Sequence, residues 1–135
     1  MSMKELEGKT VLEVYIGDTE DCAVDVLVFI TDQGTFVYYT AGDCCSISWF
    51  NDMLGVGNLL NFTVVSVEDV ELPEPQQKDY EYLQDYGIKL TTTGGYVDIV
   101  YRNESNGYYG GWCELYDGDG YQNLRKIETD WSADE

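Results

Sequence analysis

Histidine is absent from this chain, and basic residues are scarce: seven Lys and Arg stand against 26 Asp and Glu. Without an imidazole there is no Ser-His-Asp or Cys-His pair, and the commonest general base at neutral pH is missing. Carboxylate catalysis needs only two acids beside a scissile bond, but among so many acids no particular pair stands out. The composition therefore predicts a protein that is not an enzyme and uses no cofactor.

Long apolar runs are also absent. No stretch approaches the ~20 residues needed to cross a bilayer, and so acidic a surface is repelled by anionic lipid. The segment Met1 to Gly8 is polar and lacks the apolar region of a signal peptide. We therefore expect a soluble cytoplasmic protein that avoids membranes. Its 135 residues show no internal boundary, which predicts one domain over residues 1–135.

The four cysteines do not suggest a disulfide framework. Cys44 and Cys45 are adjacent, and neighbouring cysteines rarely bridge without strain. Cys22 and Cys113 lie in apolar, strand-like segments, where a cytosolic thiol behaves as a small buried hydrophobe. We expect all four to be reduced.

Acidic charge dominates what is present, with a formal net charge of -19. A compact chain of this length has a radius of gyration of ~14 Å and a diameter of roughly 37 Å. Duplex DNA of that length carries about 22 negative charges. This near match indicates a partner built to receive a polyanion and argues against direct binding of nucleic acid. Crowding of like charges also predicts that many carboxyl pKa values lie above their usual range in the folded chain.

Apolar residues recur with period two along much of the chain, which is typical of strands. Strands are predicted at Thr10 to Ile16, Phe62 to Val70, and on both sides of the turns at Asp32-Gln33-Gly34 and Gly94-Gly95. Tyr108 to Tyr116 could add a third strand to the second hairpin, and Leu124 to Trp131 is a weak last strand. The predicted fold is mainly β (α+β), an antiparallel sheet of about six to eight strands built from hairpins.

One segment departs from this alternation. Trp49, Phe50, Met53 and Leu54 recur at helical spacing before Gly55, which predicts one short helix near residues 46–55. Both prolines fall in Glu71 to Lys78, the one clear loop. Tyr80 to Tyr86 fits either a helical turn or an extended segment.

Two short motifs contain some, but not all, of the ligands of a metal site. Asp117-Gly118-Asp119-Gly120 lacks the spaced oxygen ligands and closing Glu of a calcium loop, so a tight turn is favoured. Asp43-Cys44-Cys45 has no second cysteine pair or histidine to complete a four-ligand site. No metal site is predicted.

Twelve tyrosines exceed what a small core needs. Tyr and Trp dominate the energetics of many protein interfaces, but Tyr also fills half-buried strand positions. At any single position the second interpretation is favoured, while a cluster of exposed tyrosines among carboxylates is expected somewhere on the surface.

Two blocks of the sequence resemble a known family. Asp43-Cys44-Cys45, followed by an aromatic-acidic segment and Asn58-Leu59-Leu60, resembles the DCC-helix block of an uncharacterised family of small acidic bacteriophage and prophage-associated proteins. Glu104-Ser105-Asn106-Gly107-Tyr108-Tyr109 resembles its second block, SNGYY, and the order of elements agrees over most of the chain. Ser46 departs from the acidic residue usual there. The family has no assigned activity, and the resemblance implies a phage setting, in which small acidic proteins often block host-defence nucleases.

We therefore expect a non-enzymatic binding or inhibitory protein of phage origin. Its acidic, Tyr-rich surface would engage a basic, nucleic-acid-binding host protein such as a nuclease complex, as anti-CRISPR and anti-restriction DNA mimics do. The predicted aromatic contacts are Tyr108 and Tyr109. The predicted partner-binding acids come from dense local runs: Asp18, Glu20, Asp21, Glu68, Asp69, Glu71, Glu74, Asp79, Glu81 and Asp85.

The alternative is a phage structural or assembly protein whose acidity serves only solubility. A large symmetric oligomer would favour assembly, whereas the inhibitor is expected to be a monomer or dimer.

Overall fold

Strands make up most of the chain in a computed structural model, which describes residues 3–20, 24–42, 46–72, 76–78, 81–105, 111–117 and 120–133. Two short 3-10 turns, Lys4–Leu6 and Val56–Asn58, accompany the strands. The strands within the described ranges are β1 (Thr10–Thr19), β2 (Asp25–Thr31), β3 (Gly34–Gly42), β4 (Ser46–Leu54), β5 (Phe62–Val70), β6 (Gln76–Lys78), β7 (Glu81–Thr92), β8 (Gly95–Ser105), β9 (Gly111–Leu115), β10 (Tyr121–Lys126) and β11 (Trp131–Ser132). The prediction of a mainly β protein is confirmed.

All the described strands form one antiparallel sheet. Its main path runs β11-β4-β8-β7-β5-β1-β2-β3-β9, while β10 pairs with β1 and β6 pairs with β7. We call β10-β1-β2-β3-β9 the first half of the sheet and β11-β4-β8-β7-β5 the second half. The halves join where Thr10 and Val11 of β1 pair with Thr63 and Phe62 of β5.

The two halves fold onto each other around a shared core. At the margin away from β1 and β5, the Thr40 hydroxyl donates to the Ser48 carbonyl at 3.1 Å, and the Ser48 hydroxyl donates to the Ala41 carbonyl at 3.0 Å. These bonds link β3 to β4. Inward side chains of both halves are buried in one cluster, among them Leu6, Val14, Phe29, Tyr38, Phe50, Met53, Leu59, Leu90 and Ile99.

The short helix predicted near residues 46–55 is wrong, because Ser46–Leu54 forms strand β4 and pairs with β8 along its length. A β-bulge between Phe50 and Asp52 explains the misleading pattern. The extra residue lets Phe50 and Met53 both face the core three positions apart, which is also the spacing of a helix face.

Both hairpins are confirmed. Strands β2 and β3 pair from Thr31 and Gly34 outward, and β7 and β8 pair from Thr92 and Gly95 outward. The open alternative for Tyr80 to Tyr86 is decided within the described residues, because Glu81 begins the long strand β7. The predicted loop contains a three-residue strand, β6, against β7.

Strand β9 does not extend the second hairpin, contrary to our expectation. It pairs with β3, placing Cys113 opposite Thr40, since the other edge of β8 is already occupied by β4. The weak C-terminal strand divides into β10 and β11, which pair with β1 and β4. Strands exceed the expected six to eight partly because segments as short as β6 and β11 carry no detectable alternation.

Most described tyrosines serve packing. Tyr38 and Tyr101 lie in the main core, where Tyr86 stacks on Tyr101 with ring centroids 5.0 Å apart. On the outer face of the first half, Val26, Val28 and Val37 form a second buried cluster, against which Tyr15, Ile30, Tyr39, Tyr116 and Tyr121 pack. The favoured interpretation of tyrosine at half-buried strand positions therefore holds for Tyr86 and for the tyrosines of this second cluster, whereas Tyr38 and Tyr101 are buried.

Cys113 is buried as predicted, and burial raises the pKa of its thiol. Cys22, Cys44 and Cys45 lie outside the described residues. No helix in the described part of the chain has the length and apolar character to span a membrane.

Candidate functional site

Several carboxylates accept hydrogen bonds from backbone amides and so stabilise the fold. Glu7 accepts from the Val67 amide at 2.8 Å, and Asp25 accepts from the Phe50 amide at 3.0 Å. Asp32 accepts from the Thr10 amide at 2.9 Å. Asp130 accepts from the amides of Gly55 and Val56 at 2.9 and 3.0 Å. These oxygens satisfy amides at strand and turn boundaries, which reduces the charge available for a partner.

A different set of acids lies on the outer face of the second half, which we call the acid-apolar face. Its members are Ile47, Asp52, Leu54, Glu68, Asp85, Tyr96, Asp98 and Glu104. Cross-strand register interleaves them, since Asp98 lies opposite Leu54 and Glu104 lies opposite Ile47. The side chains of Ile47, Leu54 and Tyr96 are 66%, 48% and 59% exposed. Carboxylates and exposed apolar groups therefore alternate on one surface.

Two cations partly neutralise this face. Arg102 donates to both carboxylate oxygens of Asp85, at 2.6 and 3.2 Å, so Asp85 is already engaged within the protein. Lys89 lies opposite Glu68 and Asp98, and its ammonium is 4.1 Å from the Tyr96 ring centroid. The five acids of the face still outnumber Lys89 and Arg102.

A second feature is a cleft of about 310 Å³. One side is formed by the end of β1, the start of β2 and the middle of β10, and the other side by β4 and the chain around β11. Its lining includes Trp49, Trp131, Asp18, Asp25, Asn123 and Arg125. Asp18 and Asp25 are brought together because they pair across β1 and β2. The pairing of β1 with β10 contains a bulge between Ile16 and Asp18. In β10, Asn123 adopts a left-handed backbone conformation with φ of 58°.

Electrostatics differ between the two carboxylates of the cleft. Burial raises the pKa of Asp25, the Phe50 amide opposes that shift, and the charge of Asp18 adds to it. Asp18 accepts a hydrogen bond from the Asn123 amide group at 3.3 Å. The Arg125 guanidinium lies 5.9 Å from the Trp131 ring centroid and makes no ion pair with any described residue.

The predicted partner-binding acids whose side chains the structure describes are not gathered on one surface. Asp18 lines the cleft, and Glu20 is exposed just beyond β1. Glu68 belongs to the acid-apolar face, while Asp69 is the next residue along β5 and Glu71 is exposed beyond its end. Asp85 is on the acid-apolar face but bonded to Arg102.

For the remaining predicted partner-binding residues, no side-chain position is described. Glu81 is the first residue of β7. Asp21, Glu74, Asp79, Tyr108 and Tyr109 lie outside the described residues, as do the cysteines of the Asp43-Cys44-Cys45 block. Among the described residues, no group of three or more acids or cysteines is placed to hold a metal ion.

Sequence reasoning missed Asp52, Asp98 and Glu104, which are isolated in sequence rather than part of dense acidic runs. The alternation Asp98-Val100-Arg102-Glu104 was an available signal, because alternate strand residues share a face. The cleft could not be found in this way, since its walls come from segments far apart in the sequence.

These features define an acidic, antiparallel β protein with a charged outer face and an aromatic cleft. The chain belongs to the family described as Domain of unknown function (DUF7448), which matches residues 4–115. β10 and β11, which supply Asn123, Arg125 and Trp131 to the cleft, lie beyond that range.

A viral protein is among its relatives. The "Uncharacterized protein L278" of Acanthamoeba polyphaga mimivirus is 32% identical over 99 residues, which cover 70% of this chain and 77% of the relative. No solved structure gives a significant match.

Proposed function

We propose that this chain is a non-enzymatic binding protein of a virus and that it inhibits a basic protein of the host cytoplasm. The resemblance of its two sequence blocks to phage proteins favours a bacteriophage as that virus. The partner would be a nucleic-acid-binding protein, such as a nuclease complex of host defence, whose basic channel accepts carboxylates in place of phosphates. The observation that carries the proposal is the acid-apolar face, combined with the net charge of -19.

The composition of that face supports a protein partner. Asp52, Asp98 and Glu104 supply charge for lysines and arginines of the partner, which gives fast, salt-sensitive association. Ile47 and Leu54 lie opposite Glu104 and Asp98 and are exposed, and an interface with a protein partner buries such apolar groups. A pure solubility surface has no need of apolar residues at these positions.

The test compares two triple variants that remove the same number of charges. The face variant carries Asp52→Asn, Asp98→Asn and Glu104→Gln, and the control carries Glu20→Gln, Asp117→Asn and Glu128→Gln, three exposed acids outside the face. Each is used with the wild type to capture proteins from host extract at low and high salt, and each captured protein is then purified and titrated directly. We expect a basic nucleic-acid-binding protein to bind the wild type and the control, to lose affinity for the face variant, and to be displaced by duplex DNA.

Two results would count against this function. Equal weakening by both triple variants would indicate generic charge attraction, and recovery of no basic partner at low salt would leave the face without a role in inhibition. Light scattering after size-exclusion chromatography addresses the alternative, because a large symmetric oligomer would support a structural or assembly protein.

A further inference from the structure

The aromatic cleft has features that binding of a basic protein does not use. It is walled by Trp49 and Trp131 and carries two carboxylates, Asp18 and Asp25, beside one guanidinium, Arg125. Its volume of about 310 Å³ falls at the small end of ligand sites, which span ~300–1,000 Å³. The cleft therefore suits a small molecule rather than a polymer.

We propose that this cleft binds a neutral saccharide of one or two rings. The C–H face of a sugar ring packs on an indole, while its hydroxyls both donate and accept hydrogen bonds. Asp18 and Asp25 supply acceptors for those hydroxyls, and Arg125 and Asn123 supply donors. Aromatic walls with a few convergent polar groups are the usual composition of a small-molecule site.

The charges of the cleft select against other ligand classes. Phosphorylated or carboxylated ligands meet Asp18 and Asp25 within a protein of net charge -19. A cationic ligand is attracted by Asp18 and Asp25, but the Arg125 guanidinium repels it and already lies over the Trp131 ring that would otherwise receive a cation. A purely apolar ligand would strip water from these charges without replacing its hydrogen bonds. A neutral ligand with many hydroxyls can donate hydrogen bonds to the carboxylates and accept them from the guanidinium.

The local backbone supports a site held in a fixed shape. Asp25 is anchored by the Phe50 amide, and Asp18 is held by Asn123 at the left-handed position of β10. Arg125 forms no ion pair with any described residue, which leaves its guanidinium donors available for a ligand. Bulges and left-handed residues beside a cleft often re-aim side chains toward a ligand.

The experiment follows the indole N–H signals of the full chain by NMR during titration with a panel of neutral mono- and disaccharides. Trp112 is 40% exposed and is not among the residues that line the cleft, so it provides an internal reference. We expect at least one neutral sugar to shift the signals of Trp49 and Trp131 and to leave Trp112 unmoved. Glucosamine and glucuronate, the cationic and anionic analogues of glucose, should bind more weakly than the neutral sugar.

Variants assign the contacts. Trp49→Ala and Asp18→Asn should each weaken sugar binding by about tenfold, whereas the matched controls Trp112→Ala and Asp98→Asn should bind as the wild type does. If Trp49→Ala fails to fold, the indole shifts of the wild type and the Asp18→Asn titration still decide the question.

Three outcomes would overturn the proposal. The first is the absence of indole shifts with every neutral sugar at its highest soluble concentration. The second is stronger binding of free arginine or glucosamine than of any neutral sugar, which would make the cleft a cation site. The third is full affinity in the Asp18→Asn variant. None of them bears on the acid-apolar face, so the two proposals fail separately.

Discussion

Asp25 begins β2 and accepts a hydrogen bond from the Phe50 amide, while Asp18 lies opposite it on β1. Burial is the largest cause of the raised pKa of Asp25, and repulsion from Asp18 adds to it. Because the folded-state pKa exceeds that of the unfolded chain, the native protein binds more protons between the two values. The contribution of Asp25 to stability therefore improves as pH falls through that window.

Replacing Asp25 by Asn tests this sign. The amide oxygen can still accept from Phe50, but the partly buried charge and its repulsion by Asp18 are gone. We expect Asp25→Asn to melt at a higher temperature than the wild type at pH 7, and the difference to shrink as pH falls toward the unfolded-state value of 3.8. Thermal melts across that range measure it, with Asp98→Asn as the exposed control. A lower melting temperature at pH 7 would mean that the ionised form is the stabilising one.

Glu7 and Glu13 show the opposite effect. A hydrogen bond from Lys4, followed by the Val67 amide, lowers the pKa of Glu7, and a hydrogen bond from Lys126 lowers that of Glu13. Their contribution to stability is present above the unfolded pKa and is lost as pH falls through the folded value. The prediction that many carboxyl pKa values are raised does not hold for these two acids, because a specific donor outweighs the general repulsion.

At the scale of a strand, β4 combines a core contact with a wall of the cleft. Phe50 is 1% exposed and packs edge-on against Tyr101, with ring centroids 6.4 Å apart. Trp49, its neighbour in sequence, points to the other face and is half-buried beside the cleft. Adjacent aromatic residues thus serve core and cleft separately, because successive strand residues face opposite sides.

This difference predicts unequal effects of truncation. Phe50→Ala should lower the free energy of unfolding by ~3–5 kcal/mol, as expected for a large side chain removed from a core. Trp49→Ala should lower it by only about 1 kcal/mol, because less apolar area leaves the protein interior. Urea unfolding of both variants, with exposed Ile47→Ala as a control, provides the comparison. Equal losses for Phe50 and Trp49 would contradict the strand assignment.

The connection from β4 to β5 depends on Gly55, which has φ of +85°. A Cβ there would collide with the Tyr96 carbonyl oxygen, whereas at Gly8, with the same φ, a Cβ would meet nothing within 4 Å. Gly8→Ala should therefore show the backbone strain alone, ~1–2 kcal/mol.

The two glycine substitutions separate strain from collision. Gly55→Ala should destabilise the protein by roughly 3 kcal/mol or more, because a backbone atom cannot move aside as a flexible side chain does. Chemical denaturation of both variants measures the difference. If the two losses are equal, the turn after β4 shifts enough to accept the methyl group.

For the whole molecule, net charge sets how salt acts. The 26 carboxylates greatly outnumber the seven basic residues, so long-range repulsion outweighs the few ion pairs among the described residues. We expect added sodium chloride to raise the melting temperature at pH 7, since the Debye length falls from ~10 Å at 0.1 M to ~3 Å at 1 M. The gain should be smaller for both triple variants. A melting temperature that falls with salt would show that local ion pairs dominate.

The sequence by itself determined the antiparallel β class and both hairpins. Alternation of apolar residues and the turn residues at Asp32-Gln33-Gly34 and Gly94-Gly95 act over a few neighbouring positions, so they can be interpreted without knowing what each strand contacts. Burial of Cys113 and the packing role of most tyrosines follow from the same local pattern.

Only the tertiary structure decided the strand at residues 46–54, the partner of β9, and the composition of the acid-apolar face. A bulge reverses which residues face the core, and cross-strand neighbours depend on register between distant segments. The roles of the carboxylates divide for the same reason: Asp25 and Glu7 bind amides far away in sequence, Asp85 pairs with Arg102, and Asp98 lies between Lys89 and Leu54. Charge is a property of the composition, but its position and its pKa are set by long-range contacts.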